Sequence, residues 1–329
     1  MSFKGNDNKS LVDDIVEKTG CKRNSARTYA STLVRVGNLY GGGYNKDLKF
    51  IKSPKLLEKL KNHDGSLHSK RNLINSVLIG FKLQKPPEKL YQKYKAHLIT
   101  LNKEVEERGR KGIMTEKQKA KMLEWKQVEG LRKLLEKQMR LSQAMKRKDV
   151  TGRDLMVINQ YVAVCCMTLT PPTRLDWPTV TFHNAKGFAN IADKTSSNML
   201  VVRKSSVTII WNDYKTARKH GQVSHELPKK LASILRKHVK FMKKHFPEND
   251  RLFLNARFEP MSRHNFGKLL ESVFYKYFKK RISVSALRRI YLSSKYSHSM
   301  IREAQKDARM MMHSVNVAQN HYVKEKDAE

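Results

Sequence analysis

The chain has 329 residues, with 67 Lys+Arg against 30 Asp+Glu and a formal net charge of +37. Its 39% hydrophobic and 8% aromatic residues are enough to build packed domains, which excludes a disordered basic tail. Such an excess of cations points to a polyanion, because each phosphate neutralised by Lys or Arg releases condensed counterions.

The first 113 residues read as helical. Residues 10–19 start on a polar cap and put Leu11, Ile15 and Val16 on one face, with Gly20 to end the helix. Residues 24–39 repeat apolar side chains at helical spacing (Ala30, Leu33, Val34) before the Gly41-Gly42-Gly43 break. Residues 56–60 and 67–81 predict two more helices, and Pro86-Pro87 sits where a fifth begins, continuing over 90–110. Four or five helices in a basic bundle are therefore expected over residues 1–113, and a second domain over 114–329.

The second domain opens on Thr115 with Gln118 three residues later. That spacing is a capping box, here expected to start the helix carrying Trp125, Val128, Leu131 and Leu134. Lys146-Arg147-Lys148 is a short basic turn, and 155–169 is apolar enough for a buried helix. Strand signals are confined to 198–203 and 207–214, rich in β-branched and aromatic residues, with 223–227 as a possible return strand ended by Pro228. Residues 215–222 then form a hairpin turn crowded with Lys215, Arg218, Lys219 and His220. From Lys229 onward the pattern is helical to the end. The expected fold class is mainly α with a small antiparallel sheet, α+β.

Charge and motifs exclude several function classes. Residues 1–150 hold 35 basic and 16 acidic residues (+19), and residues 151–329 hold 32 and 14 (+18), so both domains are expected to touch one extended anion. No apolar run approaches the ~20 residues needed to span a bilayer, and no membrane partner is expected. The start, MSFKGNDNKS, lacks the apolar stretch of a secretory signal. Cys21, Cys165 and Cys166 show no paired CxxC spacing and read as reduced thiols of an intracellular, non-secreted protein. There is no GxxxxGK[ST] loop, no HExxH and no acidic cluster, so neither ATP nor a metal nor another cofactor is signalled.

The second half does contain an ordered series of candidates. Arg174 follows Pro171-Pro172, Lys215 lies in the hairpin, Arg288 lies in Ser285-Ala-Leu-Arg288-Arg289, and His313 precedes Tyr322 by nine residues. Phosphodiester cleavage without a metal needs a nucleophile, cations for the charge growing on phosphoryl oxygens, and a proton for the leaving oxygen. Arg pairs bidentately with phosphate, Tyr can attack and hold it covalently, and a Lys among cations can act as general acid.

This series resembles the tyrosine recombinase, or phage-integrase-like, family, whose signature is Arg, a hairpin Lys, HxxR, then His or Trp with a Tyr nine residues on. It is most similar to the subgroup carried by large DNA viruses of protists and their parasites, where the first Arg follows a Pro-Pro pair. The resemblance covers 114–329 as a tyrosine-recombinase-like catalytic domain and, loosely, 1–113 as a helical DNA core-binding domain. It implies Tyr322 as nucleophile, Arg174 and Arg288 as phosphate clamps, Lys215 as general acid and His313 as a further hydrogen-bond donor. Lys219 and Lys204 stand as alternatives to Lys215. Ser285 replaces the usual His of HxxR and, with Arg289, supports the site; Trp177 stands where the pattern has Glu, with Asp176 one place early.

The resemblance implies cleavage and rejoining of double-stranded DNA through a 3′-phosphotyrosine, with no metal and no ATP. The two domains would close as a clamp on the duplex, with Lys146, Arg147, Lys148, Arg218 and Lys219 among its DNA contacts. It also implies a DNA-dependent homo-oligomer, a tetramer in synapsis, working at intracellular DNA in the nucleus or at a viral replication site. The alternatives are a type IB topoisomerase-like relaxing enzyme and a non-catalytic DNA-binding protein of the same fold.

Overall fold

The computed structural model describes residues 7–44, 47–112 and 114–310. The chain divides into two units, Met1–Ile113 and Met114–Glu329, each with its own buried core. His313 and Tyr322 lie outside the described residues.

In the first unit the described helices are α1 (Asp7–Thr19), α2 (Arg23–Tyr40), α3 (Pro54–Lys61), α4 (Leu67–Leu83) and α5 (Glu88–Lys111). α4 packs against the other four. Its Leu73, Ile74, Val77 and Phe81 recur at helical spacing and are buried, closing a core shared with Ile15, Leu33, Leu60 and Tyr94. Ser66 caps its start by accepting a hydrogen bond from the Ser69 amide.

The second unit begins differently from expectation. The Thr115–Gln118 capping box forms, but it opens only one turn, α6 (Glu116–Lys119). The helix carrying Trp125 is separate: α7 (Trp125–Ser142) has its own box made by Glu124 and Gln127. The chain turns between them so that Met122 and Leu123 pack on the core, and Lys280 donates to the Met122 carbonyl at 2.8 Å. Leu135 faces inward on α7, whereas Leu134 is exposed.

After α8 (Gly152–Thr168) come β1 (Thr181–Asn184), α9 (Ala185–Ala189), β2 (Met199–Val202), β3 (Val207–Trp211), α10 (Ala217–His220) and β4 (Val223–Glu226). The remaining described helices are α11 (Lys229–His245), α12 (Arg263–Phe278), α13 (Val284–Lys295) and α14 (His298–Met310). α8 is buried along most of its length and is packed by α7, α11 and α12, as its continuous apolar run requires. Its first residue must be small: a Cβ on Gly152 would overlap the carbonyl oxygen of Ala256.

The fold is mainly α with one small sheet, ordered β1-β2-β3-β4. β2, β3 and β4 are antiparallel, but β1 runs parallel to β2, so the sheet is mixed rather than wholly antiparallel. β1 is four residues of Thr-Phe-His-Asn, too short and polar to signal a strand on its own. Val207, Ile209 and Trp211 of β3 face the main core, while Met199, Val201 and Ile210 pack with Phe188 and Ile191 on the opposite face. Residues 246–262 are not helical. Pro247 and Pro260 interrupt the pattern, and the segment buries Leu252, Phe253 and Leu254 while Arg251 bridges Thr181.

Candidate active site

Arg174 sits on the connection after α8. Pro171-Pro172 stops the helix, and Thr170 turns back to donate to the Cys166 carbonyl at 3.0 Å. A 3₁₀ turn, Trp177–Thr179, then anchors the loop, with Trp177 only 1% exposed. Its ring meets Trp211 edge to face, with centroids 5.2 Å apart. Trp211 ends β3, so this contact ties the Arg174 loop to the base of the hairpin carrying Lys215.

A buried amide makes the same connection with hydrogen bonds. Asn198, 1% exposed, donates to Thr179 Oγ1 and to the Asp213 carbonyl, both at 2.9 Å. Its Oδ1 accepts from the Asn212 amide at 2.8 Å and the Asp213 amide at 2.9 Å. Both donors and both lone pairs are used, so the side chain has one fitting orientation. Further out, Tyr214 donates to the Gly221 carbonyl at 2.8 Å and closes the loop that holds Lys215 and α10. Lys215, Arg218 and Lys219 are exposed there. Among the described residues, Lys215 makes no hydrogen bond or ion pair.

Arg288 comes from α13. Ser283 caps this helix by accepting from the Ala286 amide at 3.3 Å, and Val284, Ala286, Leu287 and Ile290 face inward. Ser285, Arg288 and Arg289 are left on the outer side, with Ser285 one turn before Arg288.

Asp176 relates these segments electrostatically. Burial raises its carboxyl above the usual range, Arg263 opposes that rise, Asp213 adds to it, and Arg174 and Arg288 oppose it more weakly. The guanidinium groups of Arg174 and Arg288 therefore lie in the field of one carboxylate. Arg263, the first residue of α12, contacts it directly: its Nη2 is 3.3 Å from Asp176 Oδ1 and 2.9 Å from Asp213 Oδ2. Neither Arg174 nor Arg288 forms an ion pair among the described residues.

The basic turn is built otherwise. Lys146, Arg147 and Lys148 are exposed between α7 and α8, and Arg147 pairs with Asp154 at 3.2 Å. Asp154 is held below the ordinary carboxylate range by the Thr151 hydroxyl, and Arg147 contributes less. No hydrogen bond or ion pair among the described residues joins this turn to the Arg174 cluster. Lys204 is exposed in the β2–β3 turn.

Asn198, Asp213 and Arg263 have no signal in the sequence. Their roles are contacts across 15, 50 and more positions, as with Asn198 to Asp213 and Arg263 to Asp213. Cys165 is pushed up to about 12 by burial and Cys166 is raised as well, so both thiols stay protonated near neutral pH. Among the described residues no group of three His, Cys, Asp or Glu side chains is placed to hold a metal ion. No described helix is long and apolar enough to cross a membrane.

No protein-family model matches the chain, and no curated protein matches it. Among solved structures it is similar to a crystal structure of XerA recombinase, at 14% identity over 97% of this chain and 94% of that one, with a TM-score of 0.32.

Proposed function

We propose that this chain is a site-specific DNA recombinase or integrase that cleaves and rejoins duplex DNA through a 3′-phosphotyrosine at Tyr322. The geometry that supports it is the joining of the Arg174 loop to the Lys215 hairpin through Asn198 and Arg263, with Arg174 and Arg288 in the field of the buried Asp176 and neither in an ion pair among the described residues. Two such forks can hold the non-bridging oxygens of one phosphate and stabilise the charge that grows there on attack. Ser285, at the start of α13, adds a hydroxyl donor, and Arg289 adds charge.

The Tyr322 oxygen bonds to phosphorus as the bond to the 5′-oxygen breaks. Tyr322 gives up its proton to solvent or a neighbouring base, and the leaving oxygen takes one from Lys215. His313 donates a hydrogen bond to the phosphate. The released 5′-hydroxyl of a partner strand then attacks the phosphotyrosine. Its oxygen bonds to phosphorus and gives its proton to Lys215, the Tyr322–phosphorus bond breaks and Tyr322 takes back a proton, so bond energy is conserved and no ATP is consumed. Exchange between two duplexes takes four protomers assembled on DNA. In this reading unit Met1–Ile113 grips the duplex and unit Met114–Glu329 carries the chemistry, with Lys146, Arg147, Lys148, Arg218 and Lys219 on the backbone phosphates.

A nicked suicide duplex tests this. The wild-type chain is expected to form a covalent protein–DNA adduct, and Tyr322→Phe to form none. An adduct that survives Tyr322→Phe, or a wild type that forms none, overturns the mechanism.

A further inference from the structure

We propose that Arg263 is a positioning residue: it occupies the carboxylates of Asp176 and Asp213 and so leaves the Arg174 and Arg288 guanidinium groups to a phosphate. The inference rests on the phosphoryl-transfer reading above and assigns a role to a side chain which that reading does not use.

The geometry is specific. A single nitrogen, Arg263 Nη2, lies 2.9 Å from Asp213 Oδ2, 3.2 Å from the Asp213 carbonyl oxygen and 3.3 Å from Asp176 Oδ1. One acid belongs to the Arg174 loop and the other to the Lys215 hairpin, so Arg263 joins the two segments from a third element, α12. Its placement is electrostatically unfavourable by itself. It is the first residue of a helix with no acid in the first turn, where the macrodipole is positive and repels a cation. The two carboxylates offset that repulsion.

Charge counting gives the consequence. Arg174, Arg263 and Arg288 against Asp176 and Asp213 make 3 − 2 = +1. Without Arg263 the count is 2 − 2 = 0, and Asp176 is left with Arg174 and Arg288 as its cationic neighbours. Asp176 is largely buried, with 12% of its side chain exposed, so water screens its charge poorly, and its attraction for Arg174 and Arg288, the weaker of its cationic neighbours, grows once Arg263 is gone. An arginine held by a carboxylate no longer offers its fork to a phosphate.

The test uses the full chain and four variants: Arg263→Ala, Arg263→Lys, Arg263→Ala with Asp176→Asn, and Arg263→Ala with Asp213→Asn. Single-turnover adduct formation on the suicide duplex is read beside DNA affinity and melting temperature. Arg263→Ala is expected to slow adduct formation by about 10- to 100-fold while duplex affinity changes by less than about threefold, the split of a transition-state effect. Arg263→Lys falls between, and adding Asp176→Asn to Arg263→Ala restores at least about tenfold, as coupled neighbours should.

A second readout needs no cleavage. Modification of Arg174 and Arg288 by an arginine-selective dicarbonyl, followed by mass spectrometry, is expected to slow in Arg263→Ala and recover when Asp176→Asn is added. Equal reactivity in wild type and Arg263→Ala overturns the positioning role, as does a double variant no faster than Arg263→Ala. A wild type that forms no Tyr322-dependent adduct but shows the reactivity change overturns the recombinase reading alone.

Discussion

The second unit holds two clusters of basic residues that look alike in composition and differ in construction. Lys146-Arg147-Lys148 is a run of neighbours on an exposed turn, and its one ion pair among the described residues, Arg147 with Asp154, serves the start of α8. Arg174, Arg263 and Arg288 are far apart in sequence and come together only through folding: Arg263 contacts Asp176 and Asp213, and Arg174 and Arg288 lie in the field of Asp176. The acids differ in sign. Asp154 is shifted down, so its charged form favours the fold; Asp176 is shifted up, so burial of its charge opposes the fold. Local density of cations therefore marks a solvated contact, whereas an acid buried at the expense of stability marks a site arranged for another purpose.

The largest test of this contrast is functional. Arg174→Ala or Arg288→Ala is expected to slow adduct formation by about 10²- to 10³-fold, the usual loss for one donor to a developing oxyanion. Lys146→Ala and Lys148→Ala should leave the saturated rate unchanged. Each should instead reduce the salt slope of DNA binding by about one, as loss of a phosphate contact does. Titration of affinity against salt, beside single-turnover rates, separates the two. Equal effects from both clusters would erase the distinction.

Next in size is the framework of the site. Asn198→Ala removes four hydrogen bonds in a buried position and is expected to cost about 3 kcal/mol in chemical unfolding. A loss below about 0.5 kcal/mol would mean that the Trp177–Trp211 contact and Arg263 hold the two loops without it.

The acids give a smaller effect of opposite direction. Asp154→Ala is expected to destabilise by about 1–2 kcal/mol at neutral pH, as loss of a capping partner does. The stability Asp154 contributes is present above its unfolded value of 3.8 and is lost as pH falls through the lowered folded value. Asp176 behaves inversely. Its folded state holds the proton more tightly, so its cost appears as pH rises from 3.8 through the raised folded value, and Asp176→Asn should leave stability level or improve it at neutral pH. Urea titrations across pH check both signs. Smallest of all, Arg147→Ala is expected to cost less than about 1 kcal/mol, because the arginine is half exposed and water screens the pair.

Much of the fold was legible because its signals are local. The spacing of Leu73, Ile74, Val77 and Phe81 marks α4, and the β-branched runs before and after Ser205 mark β2 and β3. What stayed hidden depends on tertiary contacts. β1 exists as a strand because β2 pairs with it, and α6 stops short because Met122 and Leu123 find a core. The candidate site divides the same way. Arg174, Lys215 and Arg288 could be picked out by their order along the chain. Asn198, Asp213 and Arg263 could not, since their meaning lies in which distant group each touches.

The chain has three tryptophans, and each underlies a different part of the candidate site. Trp177 sits beneath the Arg174 loop, Trp211 ends the strand leading to Lys215, and Trp125 meets Tyr291 of the Arg288 helix edge to face at 4.9 Å. The protein thus carries its own optical gauge. Indole emission and near-ultraviolet dichroism, with no label attached, report how those three supports shift when a duplex is added, and single Trp→Phe replacements assign the signal to one support at a time.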